Sequence, residues 1–188
     1  MNFQLQPVDL KDEFVTLSPL KQSGFERLYQ VASDPLIWEQ HPNKNRYQRE
    51  AFEIYFAGAI KSGGAFIVFD TQTGEPIGSS RFCAHDAEKK TIEIGYTFLA
   101  RSHWGTTYNK ALKTLMLNHA FKFVDSVNFY IGANNIRSQK SIVKFGAKKT
   151  GEIEMEYYGE PKKLNYIYQV EKKVWVKNQQ QNKNYKKN

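Results

Sequence analysis

The sequence predicts an α+β domain layered in the α/β manner: a mixed, mostly antiparallel sheet with one central parallel pair, and helices on both of its faces. Three observations predict it. The hydrophobic period switches between about 3.6 and 2 residues along the chain. The resulting order is strand, two helices, three strands, helix, strand, helix and two strands. One strand–helix–strand unit, residues 91–133, implies a parallel pair inside an otherwise antiparallel sheet.

The first strand is "EFVTLSPL", residues 13–20, ended by Ser18 and Pro19. In "KQSGFERLYQVAS", Phe25, Leu28, Tyr29 and Ala32 recur at helical spacing until Asp34 and Pro35 close the helix. "YQREAFEIYFAGAIKSGG" repeats the period through Phe52, Tyr55, Phe56, Ala59 and Ile60, and Gly63 and Gly64 stop it. "AFIVFD", "IGSSRFCAH" and "TIEIGYTFLA", joined by the polar turns "TQTGEP" and "DAEKK", read as an antiparallel meander. Residues 107–122 form a helix with Tyr108, Ala111, Leu112, Leu115, Met116 and Ala120 on one face. "VNFYIGA" is a strand, "IRSQKSIVKFG" a helix stopped by Gly146, and "TGEIEMEYYG" and "LNYIYQVEKKVWV" two long strands. Residues 1–176 therefore read as one domain. The basic run "KNQQQNKNYKKN", residues 177–188, lacks the apolar content to fold and reads as a disordered tail.

With 40% hydrophobic and 14% aromatic residues among 188, the composition is globular rather than disordered. The formal charge is +8, of which the tail lysines supply about half, and it favours an anionic ligand, phosphate-bearing or polymeric. The basic residues form no stripe interleaved with the aromatic strands, which argues against nucleic acid. Cys83 is the lone cysteine, so no intramolecular disulfide forms, and it reads as a packed thiol in a reducing compartment. With no signal-peptide pattern and no apolar run of ~18 residues, the expectation is a cytoplasmic protein without a membrane partner. His103 and His119 have no metal-ligand spacing, so no metal site is expected.

The stretch "ARSHWGTTYNKALKTLMLNHAF" gathers Gly105, Thr106, Thr107 and Asn109 where a loop after a strand enters a helix. A helix start carries partner-free N–H groups and partial positive charge, and small residues let an anion reach them. Neither G-x-x-x-x-G-K-[ST] nor G-x-G-x-x-G is present. Two readings stay open: a phosphate cradle, or a helix simply capped by Thr106 or Thr107 after a turn at Gly105.

"IEIGYTFLARSHWGTTYNKALKTLMLNHAF", followed by "NNIRSQKSIVKFGAKKTGE", resembles the acetyl-CoA-binding core of the GNAT N-acetyltransferases, and most of all the branch with the ribosomal-protein N-acetyltransferases. "VTLSPLKQSGFERLYQVASDPLIWEQHP" and "GEPIGSSRF" extend the resemblance over nearly the whole chain. It implies that the diphosphate sits on a Q/R-x-x-G-x-G/A loop, here Trp104-Gly105-Thr106-Thr107-Tyr108-Asn109, with backbone amides as donors. Thr107 stands where the first motif glycine is usual, and Asn109 fills the last position. Asn135 and Ser138 match the N-x-x-S/A pattern, Asn135 holding the pantetheine arm; from the residues alone Asn135 could equally cap its helix. Phe98 and Leu99 would act through backbone, an N–H near Phe98 facing the thioester oxygen.

The resemblance implies an N-acetyltransferase that moves an acetyl group from acetyl-CoA, its co-substrate, to a primary amine by direct attack in a ternary complex. The acceptor is a protein N-terminus or a small-molecule amine, and the protein a monomer or homodimer. Many relatives use a Tyr seven residues after the motif Asn as proton donor; Ile142 stands there, so Ser138 or a water takes that role. Glu93 is the candidate base, working through water, with Glu39, His41 and His85 as competitors. Trp38, Tyr157 and Tyr158 are candidate walls of the acceptor pocket. The alternative is a catalytically weak acyl-CoA-binding module of the same fold, suggested by Thr107 and Ile142.

Overall fold

The computed structural model describes residues 3–156 and 161–185. Seven strands form one sheet in the order β1-β2-β3-β4-β5-β7-β6. They are β1 (Val15–Pro19), β2 (Ala65–Asp70), β3 (Pro76–Asp86), β4 (Thr91–Leu99), β5 (Ser126–Gly132), β6 (Lys148–Met155) and β7 (Lys163–Glu171). Every neighbouring pair is antiparallel except β4 and β5, which are parallel. The crossover between those two is α3 (Tyr108–Ala120).

Helices α1 (Phe25–Ala32) and α2 (Arg49–Ser62) cover one face. Leu28, Ala32, Phe52, Tyr55, Phe56 and Ala59 pack there on Ile67 and Phe98. α2 stops where Gly63 turns into the left-handed region at φ 63°, which glycine enters without steric cost. The other face carries α3, α4 (Ile136–Val143) and α5 (Lys172–Tyr185). Leu112, Met116, Leu117, Ile142 and Trp175 pack there against Ile92, Ile94, Val127 and Phe129. β4 thus feeds both cores, giving Ile92 and Ile94 to one and Phe98 to the other, while β5 gives Val127, Phe129 and Ile131 to the α3 side.

The chain's end departs from the sequence reading. The strand expected over residues 164–176 stops at Glu171, and α5 begins at the next residue. The expected disordered tail continues that helix to Tyr185. The physical reason is Trp175, 4% exposed, whose ring lies near Phe121 and Phe145 and whose Nε1 donates to Asn118 Oδ1 at 2.9 Å. One large anchor fixes a helix whose other residues are mostly polar. Tyr157 and Tyr158 lie outside the described residues. Among the described residues no helix is long and apolar enough to cross a membrane.

Candidate active site

β4 and β5 pair only at Thr91↔Ser126, Ile92↔Val127 and Glu93↔Asn128, yet they run on to Leu99 and Gly132. Beyond Glu93 the two strands therefore part, and their facing edges open into a wedge. A bulge in β4 aids this, since Ser79↔Phe98 and Arg81↔Gly95 leave two residues of β4 opposite one of β3. Tyr96, inside the bulge, adopts φ 55°, a left-handed conformation that costs a non-glycine residue roughly 1–2 kcal/mol. Tyr55 OH donates to the Tyr96 carbonyl at 2.8 Å and holds the bulge from α2.

The loop after β4 closes the wide end of the wedge. Gly105 turns at φ 72°, with no atom within 4 Å of where a side chain would begin. Thr106 Oγ1 donates to the His103 carbonyl at 2.7 Å and takes a long bond from Tyr108 N, whereas Thr107 makes no side-chain cap bond. Ala111 N is the first amide bonded back along the helix, to Thr107 O. The amides ahead of it have no helical carbonyl to bond, beside a surface open at Gly105. That combination fits a diphosphate; the Thr107 methyl does not fill the turn.

Several loop side chains have structural work. Trp104 Nε1 donates to the Leu99 carbonyl at 2.9 Å, and the Arg137 guanidinium lies 3.8 Å from the Trp104 ring centre. Tyr108 OH donates to Asp70 Oδ2 at 2.7 Å, and with backbone N–H bonds from Gln72 and Thr73 this holds the Asp70 carboxyl below its ordinary range. Arg101 pairs with Asp34. Asn109 Nδ2 donates to Ser141 Oγ at 2.8 Å and ties α3 to α4. Asn135 Oδ1 accepts from Ser138 N at 3.1 Å, so Asn135 is the α4 N-cap.

Two hydrogen bonds fix the backbone direction at the wedge. Ala100 N donates to Ile77 O on β3, while Leu99 O turns away from β3 to Trp104. Backbone groups alternate along a strand, so the N–H facing the open edge belongs to Leu99 and not to Phe98.

Glu93 stands at the narrow end of the wedge, 6% exposed, on the α2 side of the sheet. Burial pushes its carboxyl up to about 7, against the opposing pull of the Cys83 S–H bond and the Arg81 charge. The Cys83 thiol is pushed up by burial and by Glu93, which fits the packed thiol expected and not a nucleophile. Arg81 lies 3.8 Å from the Tyr96 ring centre and donates to the Gly58 carbonyl; its Nε and Nη2 are buried without partners. Burial and then Glu93 raise Tyr130, on the facing strand. The rival bases are otherwise engaged. Glu39 pairs with Arg137, His85 packs on Phe3, and His41 is held between Asn43 N and Arg46 Nη1. Burial drives His41 well below its ordinary range. Trp38 is 2% exposed, with Nε1 bonded to the Ala32 carbonyl, and belongs to the core.

Arg46, Arg81, Tyr96 and Lys113 escaped the sequence reading. A basic residue inside an otherwise β-like run, as in "SSRFC", is the signal that exists for Arg81. Lys113 follows Leu112 directly and precedes Met116 by three, so it borders the apolar face of α3. Among the described residues no group of His, Cys, Asp and Glu side chains could hold a metal ion.

With this geometry in hand, a family model described as an acetyltransferase (GNAT) domain matches residues 15–148. No curated protein matches the chain by sequence. Among solved structures, a GCN5-related N-acetyltransferase from Brucella melitensis superposes with a TM-score of 0.72 at 19% identity, over 88% of this chain and 79% of that one. Spermidine N-acetyltransferase from Vibrio cholerae, in complex with CoA and spermine, gives 0.66 at 14% identity over 88% and 99%. Mycobacterium smegmatis RimJ, in complex with CoA-disulfide, gives 0.64 at 15% over 85% and 82%.

Proposed function

The chain belongs to the GNAT acetyltransferase family, and from that premise we propose that it transfers the acetyl group of acetyl-CoA to a primary amine by direct attack in a ternary complex. One observation carries this reading: the β4–β5 wedge runs from helix-start amides at α3, which have no helical carbonyl to bond, to a buried carboxyl at Glu93. The amides around Gly105 to Asn109 hold the diphosphate, and the helix dipole adds favourable field there. The arm then lies along the open edge of β4, with Leu99 N–H directed at the thioester oxygen as negative charge develops on it. Asn135 and Ser138 border the arm from α4, Asn135 acting first as the cap that sets the helix start.

The acceptor enters from the α2 side, where Glu93 faces. A primary amine attacks only when neutral, and at pH 7 a lysine-type amine is mostly protonated. A carboxyl titrating near 7 is matched to removing that proton, directly or through one water. Relatives in complex with CoA, one also with spermine, support the donor and the amine class. Protein N-termini and small-molecule amines both remain within the proposal.

Free-thiol release from acetyl-CoA, followed across a panel of polyamines, amino acids and N-terminal peptides, tests it. An acceptor-dependent release is expected. Tight CoA binding with no acceptor raising the rate would instead identify a catalytically weak acyl-CoA-binding module.

A further inference from the structure

Lys113 is charged chemistry where α3 should be apolar. Its side chain is 6% exposed, and Nζ donates to Thr97 Oγ1 at 2.5 Å while standing 5.6 Å from the centre of the Phe129 ring. Thr97 lies on β4, four residues past the last β4–β5 pair, and Phe129 on β5, one residue past it. The amine therefore spans the two walls of the wedge, between the phosphate loop and Glu93, on the α3 side. Among the described residues no carboxylate bonds to it, and the Thr97 hydroxyl that receives it is shared with Ser80 Oγ at 2.8 Å.

A buried lysine without an anion is costly, and proteins rarely keep one without use. Resting on the acyl-donor reading above, we propose that Lys113 is the acid that protonates the departing thiolate of CoA. An arm laid along the open edge of β4 passes Thr97, which brings its sulfur to the Lys113 amine on the α3 side. In the step, the acceptor nitrogen bonds to the carbonyl carbon and the C–S bond breaks, its electron pair going to sulfur. A proton passes from Lys113 Nζ to that sulfur, and the surplus proton on nitrogen passes to Glu93, which has by then released the earlier ammonium proton to solvent. Solvent then returns one proton from Glu93 to Lys113.

The surroundings suit this assignment. Ile142 offers no proton, and Asn135 engages Ser138 only through its backbone N–H. Glu93 and Tyr130 point to the opposite face, since Ile92, Ile94, Phe129 and Ile131 point toward α3, and the bulge turns Tyr96 to that opposite face as well. No charge on α4, β4 or β5 contributes to the titration of Lys113; burial alone brings it down to about 7, close below an ordinary thiol near ~8.5.

The test is the ionisation of CoA bound to the protein, followed by thiolate absorbance during a pH titration, in the wild type, Lys113→Met and Lys113→Arg. The bound thiol is expected to ionise roughly one pH unit or more below free CoA in the wild type and in Lys113→Arg, and to return toward the free value in Lys113→Met. Turnover of both variants is expected to fall by about 10²-fold or more, because the guanidinium keeps the charge but does not release a proton. Binding of adenosine 3′,5′-bisphosphate, which lacks the arm, should be unchanged and reports folding. Equal thiol ionisation in wild type and Lys113→Met, with that binding intact, would overturn the assignment. If Lys113→Met does not fold, an unshifted thiol in the wild type does so alone. Failure of the wild type to bind CoA at all would instead remove the acyl-donor reading.

Discussion

Glu93 is the residue at which activity and stability should separate. Its pKa is raised, so the folded protein holds a proton that the unfolded chain has already released between the ordinary carboxylate range and about 7. Stability therefore falls as pH rises through that window and is flat above it. Glu93→Gln removes the slope, and the variant should gain thermal stability relative to the wild type at pH 8 compared with pH 5. The same substitution should lower kcat by roughly 10²–10⁴-fold with KM for acetyl-CoA little changed, and abolish the rise of rate through pH 7. A pH series of melting curves and rates on the two proteins checks both signs. At the phosphate loop, Gly105→Val places a branched side chain at φ 72°, and titration calorimetry should find CoA binding weakened by about tenfold or more. The place of Glu93 on a strand and the turn at Gly105 were legible in the sequence because each stands in a short recognisable run. Lys113 and Arg81 were not, since a charge bordering an apolar face normally reads as solvated, and only the fold shows what covers it. The φ of Tyr96 has no sequence signal at all, because it is imposed by the bulge and by Tyr55.

At the scale of elements, seven strands and the first four helices follow from periodicity and punctuation, with ends shifted by a few residues. The exception is the join at Glu171 and Lys172, where "EKKVWV" alternates like a strand. Alternation over so few residues is ambiguous, and the contact of Trp175 with Phe121 and Phe145 decides the outcome. Trp175→Ala should cost about 3–5 kcal/mol and release α5, seen as a lower melting temperature and lost helical signal. Asn135→Ala removes the cap of α4 and should cost about 1 kcal/mol. Because α4 borders the wedge, calorimetry should find CoA binding weakened as well, though less than in Gly105→Val. A change in stability with unaltered CoA affinity would leave Asn135 as a cap only.

The whole molecule is organised around one interruption of its sheet. The strand order sets a single parallel pair at positions four and five of seven, and its pairing ends after three residues. Sequence order foretold the parallel pair through the strand–helix–strand unit at residues 91–133. How far that pair stays joined depends on the β3–β4 bulge and on two helical layers pressing from opposite sides, which no local pattern encodes. Charge was a weaker guide: part of the +8 excess sits on α5, far along the chain from the phosphate loop. Amide hydrogen exchange with and without CoA reads the wedge directly. Slowed exchange at residues 97–99 and 105–110 on adding CoA is the expected result. Unchanged exchange there, with any protection confined to the basic residues of α5, would contradict a wedge built for the acyl donor.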